Sequence, residues 1–278
     1  IMHSTSSMSW FGRVSLGGGL AFLYLPIVVL VVYSFNASKL VSVWAGFSLG
    51  WYQTLFDDEA VMAAFGLSLK VAVLASAMSV VLGTLAGLVM ARFGPFRGKS
   101  LFAGMLTAPM VMPEVITGLS MLLLFVSMQQ WVGFPEERGV LTIWVGHVTL
   151  CTAYVTVVIR SRLVEMDRSL EEAAMDLGAR PLKIFFVITL PLILPAIASG
   201  FLLSFTLSLD DLVMTAFLSG PGSTTLPQLI FSRVRLGLNP EINALGTLTV
   251  LVVAVLVISA NRIMLRQEKR RAALAAAS

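Results

Sequence analysis

Charged side chains are scarce in this chain. Asp, Glu, Lys and Arg make up only 12% of its 278 residues, about half of the ~25% usual for soluble domains, so an ordinary water-soluble globule is excluded. Cysteine occurs once, at Cys151 inside an apolar run, which rules out an intrachain disulfide and leaves the redox compartment open. Histidine occurs twice, as His3 and His147, each isolated in sequence from any Cys or acidic cluster at ligand spacing; no metal site is expected. No nucleophile and base stand at a recognisable spacing, which disfavours a membrane enzyme. The run Gly94-Pro95-Phe96-Arg97-Gly98-Lys99-Ser100 imitates a phosphate-binding loop, but Phe93 stands where the first glycine is required and no strand precedes it. The chain is therefore not expected to bind ATP itself.

Apolar residues fill the space that charge leaves: 57% are hydrophobic and the mean hydropathy is +0.90. The apolar runs are continuous rather than alternating, which disfavours a membrane barrel and predicts an all-α integral membrane protein. Six runs are long enough for a core of roughly 30 Å: Leu16–Phe35, Phe65–Met90, Leu101–Met128, Thr142–Ile159, Pro191–Leu209 and Leu245–Ile263. Gly83, Gly87, Pro109 and Pro113 lie inside them, as membrane helices tolerate, the small residues permitting close packing. The first run is too long for a signal-peptide core and reads as a retained span. The polar start opens on Ile1 rather than Met, so a trimmed or tagged beginning is expected.

The net charge of +4 points to topology and not to nucleic acid, because the basic residues adjoin the apolar runs. Fourteen of the nineteen Lys and Arg fall on one side of the six spans, in residues 13, 92–99, 160–183 and 262–271. By the positive-inside rule both termini and the connection around Ser169 are cytoplasmic. The expected organisation is a cytoplasmic segment 1–15, a transmembrane domain 16–265 with a cytoplasmic segment 169–191, and a cytoplasmic tail 266–278. Outside, Trp44, Trp51 and Tyr52 read as an interfacial belt. The tripeptide Asn36-Ala37-Ser38 matches a glycosylation acceptor by chance. The longer segment Asp210–Asn243 either re-enters the membrane or is a plain loop.

The most charged internal stretch runs from Ser169 to Pro195. Ser169 and Glu172 have capping-box spacing, and Gly178 supplies a left-handed stop before Pro181. These predict a helix of roughly eight residues, about 12 Å long. Ala173 and Ala174 would let another surface approach it closely.

The spacing Glu172-Ala173-Ala174, three residues, Gly178, nine residues, Ile188, one residue, Leu190-Pro191 resembles the EAA motif of permease subunits of binding-protein-dependent ABC importers. It also sits where that family carries it, before the penultimate span. The resemblance implies a type I importer permease fold in which this helix couples to a separate ATPase, with Glu171, Glu172, Ala173, Ala174, Asp176, Gly178 and Ala179 at the contact. It implies no cofactor on this chain, ATP and Mg being held by the ATPase subunits. Implied partners are a second permease subunit, two ATP-binding subunits and a periplasmic binding protein, in a bacterial inner membrane.

The stretches Tyr33-Ser34-Phe35-Asn36, Thr142-Ile143-Trp144, Thr152-Ala153-Tyr154, Leu207 to Asp211 and Asn239 to Leu245 resemble the polyamine branch, specifically the second permease of putrescine or spermidine importers. A polyamine needs carboxylates for its ammonium groups and apolar or aromatic walls for its methylenes. Glu114, after Pro113 within an apolar span, and Asp210 and Asp211, at the outer end of another, are the candidate pathway acids. Tyr154 and Phe205 are candidate cation–π walls. The bland readings are a water-interface position or pairing with Arg233 or Arg235 for the aspartates, a structural role for Glu114, and packing for the aromatics. The rival function is a secondary transporter driven by an ion gradient, against which the full EAA spacing argues.

Overall fold

The computed structural model describes residues 9–40, 43–236 and 240–277, the side chains at 260, 261 and 263–277 excepted. His3 and Asn239 lie outside the described residues. Those described are mostly helical and fall in two compact units, the first drawn from residues 9–59 and 230–256 and the second from 60–229 and 257–277. Among the described residues, six helices are long and apolar enough to cross a membrane.

In the first unit, α1 (Trp10–Tyr33) starts six residues before the expected span, because the Ser9 hydroxyl accepts the Gly12 N–H at 3.2 Å and caps it there. The loop that follows is organised by Asn36, only 1% exposed. Its amide donates to the Val43 carbonyl (2.7 Å) and its Oδ1 accepts the N–H of Ala45 (2.9 Å). The glycosylation match is thus a buried turn residue. The Trp51 indole donates to the Asn36 carbonyl (2.7 Å), and Tyr52, in α2 (Gly50–Asp57) like Trp51, shares a 2.7 Å hydroxyl bond with Ser34. Two of the three expected belt aromatics therefore hold this loop. Arg233 joins Asp58 (2.6 Å) to Glu241 (3.2 Å), and Arg235 lies over the Phe231 ring.

The second unit is built on α3 (Glu59–Arg92), α6 (Val140–Glu165) and α9 (Leu190–Leu209). Gly83 and Gly87, one turn apart on α3, admit α6: a Cβ at Gly83 would lie 2.6 Å from Val155 Cγ1, and one at Gly87 3.0 Å from Ile159 Cγ2. Helix α9 runs beside α6 in constant register. Gly200 faces Val155, Ser204 accepts from Cys151 Sγ, and Ser208 meets His147, successive pairs four residues apart.

The expected span Leu101–Met128 is broken. It consists of α4 (Lys99–Val111) and α5 (Glu114–Val132), separated by Met112 in extended conformation (ψ 141°) and Pro113. Proline has no N–H to continue the ladder and forces its predecessor out of helical geometry, so the apolar run does not make one helix. Glu114 consequently opens a helix instead of lying within one. The fifth span begins before Pro191: α8 (Pro181–Ile184) passes through a π-helical turn, Phe185–Thr189, into α9. The segment after Asp210 carries α10 (Val213–Leu218) and α11 (Leu226–Leu236) and is not a plain loop. The last helix, α12, is Glu241–Ala277 and runs through the boundary expected at 265.

Candidate functional site

Two places in the second unit gather the residues singled out by sequence. The first is the connection from α6 to α9. Helix α7 (Ser169–Asp176) forms where expected, but not by a capping box: Ser169 is its first residue, and no side chain of the Ser169/Glu172 pair caps it. The Asp167 carboxylate, a stronger acceptor two residues earlier, takes the Ser169 N–H at 2.9 Å, and that bond holds the Asp167 carboxyl below its ordinary range. The stop is as predicted. Gly178 has φ +80°, its N–H bonds the Met175 carbonyl (2.8 Å), and Ala179 N–H bonds Ala174 (3.0 Å), the paired bonds of a Schellman motif. Pro181 then opens α8.

Glu172, Ala173, Asp176, Leu177 and Gly178 are exposed, while Ala174 and Ala179 are half-buried. Leu177 is 89% and Leu182 75% exposed. An open concavity of about 480 Å³ is lined by Ala174, Leu177, Gly178, Ala179, Arg180 and Lys183. Glu171 faces the other way. Its Oε2 lies 2.7 Å from Arg92 Nε, a contact that is ionic and not an aligned hydrogen bond, and its Oε1 accepts the Thr189 hydroxyl at 2.7 Å. Sequence reasoning missed Arg92, Arg168 and Thr189; a basic residue at the C-terminal end of α3 was the only local signal.

The second place is the break between α9 and α10. Asp211 is buried, and its carboxylate is filled by donors from this chain. Oδ2 faces His147 Nε2 (3.1 Å), Thr215 N (2.8 Å) and Thr215 Oγ1 (2.7 Å), and Oδ1 accepts from Met214 N (3.2 Å). Ser208 Oγ lies 2.6 Å from His147 Nδ1. A neutral imidazole protonated on Nε2 satisfies the set: it accepts from Ser208 and donates to Asp211. His147, isolated in sequence, is thus a neighbour of an acid in space. Among the described residues no group of three or more His, Cys, Asp and Glu converges as a metal would require.

The register sets how this site is enclosed. His147 is seven residues along α6 from Val140, about 10 Å of helix rise, and α10 packs over the intervening turns: Thr142 Oγ1 donates to the Leu218 carbonyl at 2.7 Å. Asp211 is thus enclosed by protein. Asp210, exposed beside it, closes the last turn of α9 with its N–H on Thr206 (3.2 Å) and is within electrostatic reach of both Asp211 and Glu114. Helix α5 approaches α10 closely at Gly118, where a Cβ would meet Phe217 at 2.8 Å. The fold thus brings Glu114, distant in sequence, to the region of the adjacent Asp210 and Asp211. Tyr154 packs half-buried against the cluster of Val71, Phe125, Ile143, Leu150, Met214 and Leu218. Phe205 is 6% exposed and stacks on Phe201 at 6.4 Å, presenting no open ring face here.

Comparison with known proteins follows the same lines. The chain is 62% identical over 253 residues, 91% of its length and 90% of the relative's, to the putrescine transport system permease protein PotI of Escherichia coli K12. It is 41% identical over 238 residues, covering 86% and 90%, to the spermidine/putrescine transport system permease protein PotC of Haemophilus influenzae. Among solved structures it matches a chain of a bacterial alginate ABC transporter, crystallised in complex with alginate pentasaccharide-bound periplasmic protein, with a TM-score of 0.71 at 17% identity over 91% of each chain. A chain of the MetNI methionine ABC transporter in an inward-facing conformation matches at 0.60 and 18% identity, over 74% of this chain and 97% of that one. At such identities these structures speak for the fold alone. Residues 83–273, which hold α6, the α7 stop and both helix breaks, match the model of the binding-protein-dependent transport system inner membrane component, and the chain belongs to that family.

Proposed function

We propose that this chain is the membrane-spanning permease subunit of an ATP-driven polyamine importer, with putrescine as the first candidate substrate, working by alternating access. It operates beside a second permease, two ATPase subunits that hold ATP and Mg, and a periplasmic polyamine-binding protein, in a bacterial inner membrane with both termini in the cytoplasm. The observation that carries the reading is the projecting helix α7 with its rigid Gly178 stop, presented toward a partner by a chain whose relatives are named as putrescine and spermidine permeases.

Glu172, Ala173, Ala174, Asp176, Gly178 and Ala179 form the ATPase-coupling face. Leu177 and Leu182 supply apolar surface that water would otherwise cover. ATP-driven closure of the two ATPase subunits displaces α7, and the attached spans open the path outward before release inward. On that path Asp210 and Glu114 receive ammonium groups. Asp210 stands at the C-terminal end of α9, where the helix dipole also favours a cation. Asp211, already saturated, holds the break in shape. Tyr154 and Phe205 belong to the walls of this region, reached only when the packing of α6 and α9 changes. The family assignment removes the gradient-driven secondary transporter.

The test is reconstitution of the complete transporter in vesicles loaded with ATP. Putrescine uptake is expected to need ATP and the ATPase subunits, to be competed by spermidine, and to ignore neutral solutes of similar size. Uptake by this chain alone on an ion gradient would overturn the reading.

A further inference from the structure

The face of α7 that carries Glu171 does something the exposed face cannot. Glu171 and Arg92 each keep only 13% of their side-chain surface exposed, and both Glu171 oxygens are engaged, one by Arg92 and one by Thr189. Arg92, the last residue of α3, also donates through Nη1 to the Leu163 carbonyl at 2.8 Å, in the last turn of α6. A second strap runs the opposite way: Arg168 Nη2, just before α7, donates to the Ala91 carbonyl at 2.6 Å. Covalent connection joins α7 only to α6 and to α8. These side chains add α3, and Thr189 adds the π turn at the base of α9.

We infer that Glu171 is a positioning residue, a latch that carries displacement of α7 into the ends of α3 and α6 and into the π turn, and not a contact with the ATPase. A contact residue must present its carboxylate outward, as exposed Glu172 does. Coupling at a distance needs a chain of packed or bonded groups joining rigid elements, and a half-buried charge pair whose carboxylate also accepts a hydroxyl is such a link. The π turn is the natural receiver, because its i→i+5 bonding interrupts the regular ladder of the flanking α-helix, and such turns are rare and frequent at functional sites. An open cavity of about 210 Å³ that includes Arg92, Glu171, Phe185 and Thr189 in its lining gives the latch room to move as α7 shifts.

The inference rests on the reading of α7 as the ATPase-coupling helix. Its test uses the complete reconstituted transporter with Glu171→Gln, Thr189→Val and both together, measuring co-purified ATPase subunits, basal ATP hydrolysis, and putrescine moved per ATP hydrolysed. The expected result is full co-purification, retained hydrolysis, and transport per ATP down roughly tenfold in Glu171→Gln, within the usual range of coupling energies. Thr189→Val falls less, and the double variant is no worse than Glu171→Gln because the two groups share one link. Loss of ATPase subunits from Glu171→Gln with Thr189→Val normal would make Glu171 a contact and overturn the latch. Unchanged transport per ATP in both singles would overturn it too. If Glu171→Gln does not fold, Thr189→Val decides alone: lowered transport per ATP supports the latch, and an unchanged value overturns it. Normal transport in Gly178→Val would instead sink the coupling reading itself, a separate failure.

Discussion

His147 and Asp211, 64 residues apart in sequence, meet at 3.1 Å in the seam where α6 runs beside the break between α9 and α10. The imidazole does for the broken helix what a ladder bond does for a continuous one. It supplies a donor to the carboxylate that caps α10 through Met214 N and Thr215 N, and Ser208 on α9 holds the ring from its other nitrogen. Two helix segments and a span are thereby fixed to one another by buried side chains, which satisfy backbone groups that the break would otherwise leave open.

Removing the ring should loosen the break. His147→Ala takes one donor from a buried carboxylate and strands the Ser208 hydroxyl, a loss of about 2–3 kcal/mol by the usual worth of hydrogen bonds to charged groups. The purified complex should melt earlier, while an exposed control such as Glu137→Gln should not. His147→Gln, which can restore a donor, should recover part of the loss. An unchanged melting temperature for His147→Ala would mean that Thr215 and Met214 alone hold Asp211.

Asp210 and Asp211 are neighbours in sequence with different surroundings, and they should separate on mutation. Asp210→Asn and Glu114→Gln remove charge from exposed groups, so the complex should assemble and putrescine uptake should fall, chiefly through weaker retention of the dication. Asp211→Asn should instead lower stability, because an amide presents hydrogens where four donors already point. The pair of readouts, uptake in vesicles and melting of the purified complex, discriminates them. Equal behaviour of the two aspartates in both would remove the division of roles.

The α7 stop was legible in sequence because its determinants are local: Gly178 and Pro181 act within a few residues of the turn they make. The first, second and fourth spans were legible from run length as α1, α3 and α6, each with one end displaced by six residues and the other by two. The break at Pro113 was misread as a span interior because apolar composition continues across it, although the proline itself was visible. Ser169 was misread as the cap because its spacing to Glu172 fits, while Asp167, two residues earlier, is the better acceptor. The meetings of His147 with Asp211 and of Glu171 with Arg92 were not legible at all. Each depends on the register of two helices, which Gly83, Gly87 and Gly200 set through contacts with Val155 and Ile159 that no local pattern reveals.

That register makes a prediction about α3. A methyl group at Gly83 would intrude on Val155 at 2.6 Å, so Gly83→Ala should cost about 1–3 kcal/mol by overpacking. Gly87→Ala, at 3.0 Å from Ile159 Cγ2, should cost less. Gly66 on the same helix has open space around it, and Gly66→Ala should be neutral or gain up to about 1 kcal/mol from helix propensity. Thermal unfolding of the three purified variants ranks them. Equal effects at all three positions would mean that α3 does not approach α6 this closely.

Gly178 offers the sharpest test of α7 as the coupling helix, because its surroundings and its backbone make different demands. Nothing lies within 4 Å of a Cβ placed there, so substitution meets no steric obstacle, yet φ is +80° and any side chain is strained whatever the space. The cost should follow left-handed tolerance and not size: small for Asn, about 1–2 kcal/mol for Ala, and more for β-branched Val. Relieving that strain turns the chain differently after α7 and moves its exposed face relative to α8. Transport per ATP should therefore decline in the order Asn, Ala, Val while basal hydrolysis by the ATPase subunits continues. The ordering carries the argument: a surface contact that tolerated only the absence of a side chain would be hurt by Asn more than by Ala, whereas a left-handed hinge is hurt by Ala more than by Asn.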